Sequence, residues 1–462
     1  MFIATVLAFT LTFVVAPSAG HPCDTATPDT FVCDPSRQGL YFYRCMGGGL
    51  WYEFPCPAGL VFSNTLQRCD WAIPGVNECN DQTIQTTPSA PSETTTAGMS
   101  GTSPWTATPP VTITPPVTTT PPVTTTPPVT TTPTLTTAPL PSGSCNTATC
   151  SLPNCRCVGS DIPGDLNVTQ VPQMVLLTFD DGIVSSNFIK YNQLFPADQQ
   201  AALKNPNGCR TVATFFVSGD YTDMGLVKTL SDRGNEMASH SISHGQPGWW
   251  DRAAWDQEIQ GMRKRLGQAT GRGVSEIRGM RSPYLVLGGE TQFSMLQDNG
   301  FLYDSSMYGG SLVEDEASPL WPFTLKYPPM TSQAVCDQPN CPARSYPQIW
   351  EVPLVRQYTL TGAACSMTDG CNLGSSPSKK DVVAYLRKNF NRHYTRNRSP
   401  FMISLHSYWF GNVQNSFQGL KEFLAELSGM PDVWQVSVSQ MLDWVRNPLP
   451  MDRLDELTSW QC

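Results

Sequence analysis

Residues 145–462 of this 462-residue chain are predicted to form one large α/β domain built on a parallel sheet or barrel. Short apolar runs typical of buried strands occur at 174–177, 211–217, 401–405 and 433–438. A helical pattern, 256–270, lies between two of them, with apolar residues at Ile259, Met262 and Leu266. Strands that alternate with helices favour parallel pairing, and such folds place active-site residues at the carboxyl ends of their strands.

The first segment, residues 1–20, is predicted to be a secretory signal peptide. Residues 2–15 are almost wholly apolar, and the small residues of 16–20 suit a cleavage site. No other segment is apolar for long enough to cross a bilayer, so we expect a secreted, soluble protein. Asn167 and Asn397 begin Asn-X-Ser/Thr sequences, which are N-glycan acceptors in secreted proteins.

The second segment, residues 21–80, is predicted to be a small domain held together by disulfides. It is too short to rely on an apolar core alone. The chain has 16 cysteines in all, an even number that suits an oxidising compartment. Six of them lie in this segment, at Cys23, Cys33, Cys45, Cys56, Cys69 and Cys79.

The third segment, residues 81–144, is rich in Thr, Pro and Ser. The pattern Pro-Pro-Val-Thr-X-Thr recurs four times within it at a period of six residues. A segment of this composition cannot bury apolar area, so we expect an extended, O-glycosylated linker that acts as a semi-rigid spacer.

The charge pattern excludes one class of partner. The net charge is −9 and no dense basic block occurs, whereas nucleic-acid binding needs clustered positive charge. Only 15% of the residues are charged, which suits a neutral substrate such as a polysaccharide.

Two motifs in the large domain offer metal ligands. His240 and His244 stand four residues apart, a spacing that puts side chains on one face of a helical turn. Asp180 and Asp181 follow the apolar run 174–177. Two imidazoles and one carboxylate describe a catalytic zinc site and also a non-haem iron site, so the ligand set alone leaves the metal open. Alternatively, the two histidines are unrelated surface or core residues, and the two adjacent aspartates only cap a turn.

Three further residues suit acid–base work near that metal. One of the adjacent aspartates would bind the metal while the other takes a proton from water. Arg281 would hold an aspartate ionised, or form a purely structural ion pair. His406, directly after the run 401–405, would protonate a leaving amine, or serve only a structural role. Glu351 is a weak candidate for its acidic partner.

These motifs resemble the polysaccharide deacetylase family, the NodB-homology domain of carbohydrate esterase family 4. The motifs Thr178-Phe-Asp-Asp181, His240-Ser-Ile-Ser-His244, Arg281-Ser-Pro-Tyr284 and Leu405-His406 occur in the family's order. Surrounding segments, among them Ala213-Thr-Phe-Phe-Val217 and Trp350-Glu-Val-Pro353, resemble the chitin deacetylases of arthropods and other invertebrates. The resemblance covers residues 145–462 and implies a distorted (β/α) barrel with fewer than eight full units.

The resemblance also implies a role for each motif residue. Asp180 matches the general base, and His406 matches the general acid. Arg281 matches the residue that orients the base, and the backbone N–H at Tyr284 matches an oxyanion donor. The implied ligands of a divalent metal, usually zinc, are Asp181, His240 and His244.

Residues 21–80 resemble a peritrophin-A chitin-binding module. The spacing Cys45-X10-Cys56-X12-Cys69-X9-Cys79 fits that family. The family pairing implies the disulfides Cys23–Cys45, Cys33–Cys79 and Cys56–Cys69. Aromatic rings favour the apolar faces of sugars, so the candidate chitin contacts are Trp51, Tyr52 and Trp71, unless those rings only fill the small core.

Spacing suggests three further disulfide arrangements in the large domain. Cys336 with Cys341 and Cys365 with Cys371 would each close a small loop, and Cys462 would return to the N-terminal cysteines of that domain.

Together these features predict a secreted, monomeric enzyme that removes N-acetyl groups from chitin and is tethered to chitin by its binding module. The alternative is a structural chitin-binding protein whose catalytic domain is weak or inactive.

Overall fold

The computed structural model describes Cys23 and residues 30–34, 41–47, 50–55, 60–63, 68–71, 145–314, 318–329 and 335–462. The contacts divide the chain into two compact units, Met1–Ala138 and Pro139–Cys462. The predicted signal peptide (1–20) and linker (81–144) lie outside the described residues. Within the described part, no helix is long and apolar enough to cross a membrane.

The first unit is built from short antiparallel strands. Strands β1 (Thr30–Cys33), β2 (Tyr41–Gly47) and β3 (Leu50–Pro55) form one sheet, and β4 (Leu60–Ser63) pairs with β5 (Arg68–Trp71). A disulfide joins Cys23 to Cys45, the pair that the resemblance implies. Cys33 is also disulfide-bonded. The expected partner Cys79 and the expected pair Cys56–Cys69 fall outside the described side chains.

The second unit is a curled, mostly parallel sheet, which confirms the predicted α/β barrel class. The strands run in the order β12-β13-β10-β9-β8-β7-β6-β17, with β18 also paired to β6 and only β12 antiparallel to its neighbour. Their bounds are β6 Gln173–Asp180, β7 Thr214–Val217, β8 Glu236–Ser239, β9 Gly279–Met280, β10 Tyr303–Asp304, β12 Phe323–Leu325, β13 Tyr346–Glu351, β17 Phe401–His406 and β18 Val433–Gln435.

Two smaller pairings lie beside this sheet. Strand β11 (Tyr308–Gly309) pairs with β14 (Leu354–Val355), and β15 (Gln357–Tyr358) pairs with β16 (Ala364–Cys365). Among the described strand pairs none joins β12 to β17, so the barrel is open there. The Gln357 side chain donates from Nε2 to the Met402 carbonyl oxygen at 2.8 Å and thereby links β15 to the open edge at β17.

Helices cover the outside of the sheet. They are α1 Ser185–Leu194, α2 Met224–Asp232, α3 Arg252–Trp255, α4 Gly261–Thr270, α5 Gly289–Asp298, α6 Lys379–Tyr394, α7 Trp409–Asn412, α8 Ser416–Ser428 and α9 Val438–Arg446. One π-helical turn, Asp256–Gln260, joins α3 to α4, so the helix predicted at 256–270 is present but begins earlier and contains this wider turn.

Strand β6 lies at the centre of the core. Val175, Leu177 and Phe179 pack into the cluster beneath helices α1, α2, α6 and α8, whereas Met174 and Leu176 pack into a second cluster with β18 and α9. Successive side chains of a strand point to opposite faces, so burial on both faces requires the unbroken apolar run that the sequence shows.

The strand predicted at 433–438 is shorter than expected. It ends at Gln435 because Ser437 begins helix α9 with a reciprocal cap, in which Ser437 Oγ accepts from Gln440 N at 3.2 Å and Gln440 Oε1 accepts from Ser437 N at 3.0 Å. Such caps satisfy the first backbone donors of a helix.

Disulfides close two internal loops of the second unit and cross-link the segments at both of its ends. The expected pairs Cys336–Cys341 and Cys365–Cys371 are present. The expectation for Cys462 is wrong, because it bonds to Cys209 just before β7. The N-terminal cysteines of the unit are already used by one another, in the pairs Cys145–Cys157 and Cys150–Cys155.

Candidate active site

The polar residues singled out in the large domain meet at the carboxyl edge of the sheet. Asp180 is the last residue of β6, and His406 is the last residue of β17 and its partner in the parallel register. His240 directly follows β8, and Arg281 directly follows β9. Parallel neighbours end at one edge, so strands far apart in the chain bring their terminal side chains together.

Asp181, His240 and His244 form a three-ligand cluster, with one ligand atom of each lying within 4.8 Å of the others. Asp181 Oδ1 lies 3.1 Å from His244 Nε2 and 3.8 Å from His240 Nε2. His240 Nδ1 donates to the Arg281 carbonyl oxygen at 2.8 Å, and a carbonyl can only accept, so Nε2 keeps its lone pair.

The fit to a metal is supported by the state of a buried nitrogen. His244 Nε2 faces Asp181 Oδ1 at 3.1 Å, but within the described part of the chain its contacts lack hydrogen-bond geometry. A buried nitrogen left in this state costs free energy unless a ligand satisfies it. One carboxylate and two imidazoles suit a divalent cation.

The histidine pair does not lie on a helical turn, so that part of the sequence interpretation is wrong. Residues 240–246 form a loop, in which Ser241 and His244 adopt φ values of 70° and 52°. Glu258, from the π-helical turn, holds this loop. Its Oε2 accepts from the backbone N–H groups of Ile242 at 2.9 Å and Ser243 at 2.8 Å, and its Oε1 accepts from Ser243 Oγ at 3.0 Å.

The protonation states of the cluster favour cation binding. Burial lowers the pKa of His240 to about 4, so its imidazole is neutral at physiological pH. Burial opposes ionisation of Asp181, but the nearby His244, His406 and His240 outweigh it and hold the pKa of Asp181 below its usual range. The cluster therefore presents a carboxylate and neutral imidazole nitrogen.

Asp180 is held by Arg281 in a buried ion pair. Arg281 Nη1 donates to Asp180 Oδ1 at 2.7 Å and to Thr178 Oγ1 at 3.1 Å, and both charged side chains are almost fully buried. The guanidinium stacks on the Phe216 ring with its carbon 4.0 Å from the ring centroid. A buried carboxylate needs such a partner to stay charged.

His406 has an acidic partner that the sequence did not predict. Asp369 Oδ2 accepts from His406 Nδ1 at 2.7 Å and from the His406 backbone N–H at 2.7 Å. Burial lowers the pKa of His406, but the charge and hydrogen bond of Asp369, with Asp181 and Asp180, raise it to about 10. The weak candidate Glu351 is wrong, because its carboxyl group instead lies against Asp304 and accepts from the Met307 backbone N–H.

Comparison with known proteins identifies the family. The polysaccharide deacetylase family model matches residues 167–300, and the peritrophin-A chitin-binding domain model matches residues 23–79. "Chitin deacetylase 8" of Bombyx mori is 34% identical over 316 residues, which cover 67% of this chain and 80% of that protein. The chain belongs to the polysaccharide deacetylase family.

Two further similar proteins carry related descriptions. "Chitin deacetylase 1" of Bombyx mori is 33% identical over 335 residues, which cover 69% of this chain and 59% of that protein. A family 4 carbohydrate esterase from Streptomyces lividans, solved in complex with acetate, is 18% identical with a TM-score of 0.31, covering 57% of this chain and 91% of that structure. The family assignment rests on the Bombyx mori relative and the matched family model. The chitin-binding domain and the Bombyx mori relatives indicate an extracellular location.

Tyr284 lies beside the ligand cluster of this polysaccharide deacetylase. Its backbone is left-handed, with φ at 56°, inside the turn Pro283–Leu285. Its ring packs edge-on against the His244 ring at a centroid distance of 4.6 Å. The expected role of its backbone N–H as an oxyanion donor stays a prediction.

The remaining predicted sites have mixed outcomes. Trp51 and Tyr52 lie on β3 and Trp71 on β5, but their side chains lie outside the described part. Asn167 is exposed, with its Nδ2 donating to the Gln170 side chain at 3.3 Å, and a glycan there stays a prediction. Asn397 is buried, and its Nδ2 donates to two backbone carbonyls at 2.7 Å, those of Ser160 and Pro319, which argues against a glycan on that atom.

Proposed function

We propose that this protein hydrolyses the N-acetyl groups of chitin, giving chitosan and acetate. The observation that carries the proposal is the pairing of two opposed proton-transfer groups around one ligand cluster. Asp180 ends β6 and is paired with Arg281, and His406 ends the neighbouring strand β17 and is paired with Asp369. The substrate follows from the chitin-binding domain and from the names of the Bombyx mori relatives.

We propose zinc as the cation that Asp181, His240 and His244 hold, with other divalent metals able to replace it. When bound, it supplies Lewis-acid polarisation of the amide carbonyl and lowers the pKa of water. The arginine at the site, Arg281, is paired with Asp180, so it is not available to bind the 2-oxoacid of an iron oxygenase, and we favour zinc over iron. Metal analysis of the purified protein distinguishes zinc from iron.

Asp180 is the general base in this proposal. Its buried pairing with Arg281 keeps the carboxylate ionised and fixes its direction, so a free oxygen can accept a proton from the attacking water. The guanidinium is held in turn by the Ser305 backbone carbonyl, which accepts from Arg281 Nε at 2.8 Å. The base therefore has little freedom to move, which favours proton transfer.

His406 is the general acid. Nδ1 is engaged by Asp369, so Nε2 is the atom that delivers a proton to the amine as the carbon–nitrogen bond breaks. The raised pKa keeps the imidazole protonated at neutral pH. The backbone N–H of Tyr284 completes the set by stabilising the negative oxygen of the tetrahedral state.

The test is acetate release from soluble chitin oligosaccharides. We expect release by the untreated protein, loss after removal of metal with a chelator, and recovery when zinc is restored. An untreated protein with full metal content that binds chitin and releases no acetate would support the alternative, a structural chitin-binding protein. Release that survives complete metal removal would contradict the proposed site.

We also propose that the protein acts outside the cell as a monomer after removal of residues 1–20. The proposed domains are the chitin-binding domain 21–80, the linker 81–144 and the deacetylase domain 145–462. Mass analysis of the secreted protein, with light scattering, checks the cleavage point and the oligomeric state.

A further inference from the structure

Behind the base-orienting Arg281 lies a pair of buried carboxyl groups that the proposed reaction does not use. Asp304 ends β10 and Glu351 ends β13, and the two are register partners on adjacent parallel strands. Both residues are completely buried. Two negative charges in contact away from water are strongly unfavourable, so the pair must hold a proton.

The surrounding donors indicate which of the two carries that proton. Asp304 accepts three hydrogen bonds, from Gln292 Nε2 at 3.0 Å, from Ser306 Oγ at 2.8 Å and from the Ser306 backbone N–H at 3.0 Å. Glu351 accepts from the Met307 backbone N–H at 3.0 Å, and its Oε2 is buried with no donor in the described part of the chain. Donors stabilise the ionised form, so Asp304 is the carboxylate.

The two groups also lie within hydrogen-bonding contact of each other, and burial together with Asp304 raises the pKa of Glu351 well above its ordinary value. A protonated carboxyl group offers one O–H donor. A proton on Glu351 can therefore be donated to a remaining lone pair of Asp304, and it removes one of the two negative charges.

The carboxyl pair anchors residues 304–306, and this segment in turn accepts hydrogen bonds from Arg281. Ser305, between Asp304 and Ser306, accepts from Arg281 Nε through its carbonyl at 2.8 Å and from Arg281 Nη2 through its hydroxyl at 3.0 Å. The hydroxyl of Ser306, which donates to Asp304, also accepts from the Ser282 backbone N–H at 2.8 Å, directly after Arg281. The guanidinium and its backbone are therefore both tied to the carboxyl pair.

We propose that Glu351 is a protonated positioning residue, which donates a hydrogen bond to Asp304 and thereby fixes Arg281 against the base Asp180. The catalytic part of this inference rests on the proposed function, whereas the protonation state of Glu351 does not. It assigns a role to the segment Trp350-Glu-Val-Pro353 that the reaction itself leaves without one.

The experiment compares Glu351→Gln with Glu351→Leu in the full chain. Glutamine keeps the shape of the side chain and offers an amide N–H donor to Asp304, but it has no titrating proton. We therefore expect acetate release within about twofold of the parent. Leucine removes the donor, and we expect kcat to fall roughly 10- to 100-fold with KM little changed, because a small misplacement of a catalytic group has an effect of that size. Glu422→Gln, at a partly exposed carboxylate of α8 paired with Lys379, is the matched control.

Infrared difference spectra provide the readout that is independent of activity. At neutral pH the parent should show the carbonyl stretch of a protonated carboxylic acid, assigned with isotope-labelled glutamate, and Glu351→Gln should lack it. Absence of that band overturns the proposal even if the leucine variant fails to fold. An inactive Glu351→Gln that binds metal normally also overturns it. If the parent itself releases no acetate while the band is present, the proposed function fails and the protonation of Glu351 stands.

Discussion

Asp369 Oδ2 accepts a hydrogen bond from His406 Nδ1 at 2.7 Å, and the charge of Asp369 can be removed without removing that hydrogen bond. In Asp369→Asn the amide oxygen still accepts from His406 Nδ1, but the negative charge is lost. The largest influence that raises the pKa of His406 is then absent, so that pKa falls from about 10 towards its ordinary value. The imidazolium is present below its pKa, so the alkaline limb of the activity profile should move to lower pH.

The measurement is kcat/KM for acetate release between pH 6 and 10. Since one pKa unit changes the protonated fraction about tenfold, we expect a loss of about tenfold on the alkaline side for each unit by which the pKa falls, and a smaller loss at low pH. Asp232→Asn, at an exposed aspartate paired with Lys228, is the matched control. An unshifted profile in Asp369→Asn would show that Asp369 does not tune His406.

The residues predicted from the sequence differ from Asp369 in one physical respect. Asp180, Asp181 and His406 stand at or directly after strands, so an apolar run beside them marks their place. Arg281 follows a strand of two residues and was recognised from its motif instead. Asp369 lies in a short turn inside the loop closed by Cys365 and Cys371, 37 positions before His406. Its contact depends on how that loop folds against β17, which no local pattern encodes.

The π-helical turn Asp256–Gln260 supports the proposed metal ligands from a distance. The turn carries Glu258, whose carboxylate accepts three hydrogen bonds from Ile242 and Ser243, between the two histidines. Wide turns of this kind often occur at functional sites. The loop contains two residues with positive φ, which favours an external anchor over local propensity.

Glu258→Ala should therefore weaken metal binding. We expect a loss of roughly 10- to 100-fold in zinc affinity, the range found when groups that orient metal ligands are removed. Competition with a chromogenic chelator measures it. Glu276→Ala, at an exposed carboxylate that caps a turn and lies 3.7 Å from Arg272, is the control and should bind zinc normally. Unchanged affinity in Glu258→Ala would refute this role.

The spacing of His240 and His244 predicted that the two side chains come together, but it placed them on a helical turn instead of a loop. A four-residue separation suits one face of a helix, but Ser241 and His244 are left-handed and break any helical turn. A loop can present the same two nitrogens because Glu258 holds its backbone N–H groups. Strands β9 and β10 were not predicted either, since each has only two residues and is too short for an alternating pattern.

The whole molecule combines a chitin-binding domain with a deacetylase domain in one chain. The domain order was predictable because cysteine density and Thr/Pro content change abruptly along the sequence. The opening of the sheet between β12 and β17 could not be predicted, because it depends on pairing among strands that are separated by long connections.

Linked binding sites raise the local concentration of substrate at the second site. Trp51→Ala with Trp71→Ala should therefore lower activity on insoluble chitin, by about tenfold or more, and leave kcat on short soluble oligosaccharides unchanged. Sedimentation with chitin powder and acetate assays on both substrates measure this. Full retention of chitin binding in the double variant would show that these rings serve only the small core.

The most direct test of the central claim is acetate release by Asp180→Asn. The amide preserves the shape of the side chain beside Arg281 and cannot act as a general base. The account predicts that acetate release is abolished, by roughly 100-fold or more, while zinc content and chitin binding stay at the parent level. Normal turnover by Asp180→Asn with metal bound would contradict the account.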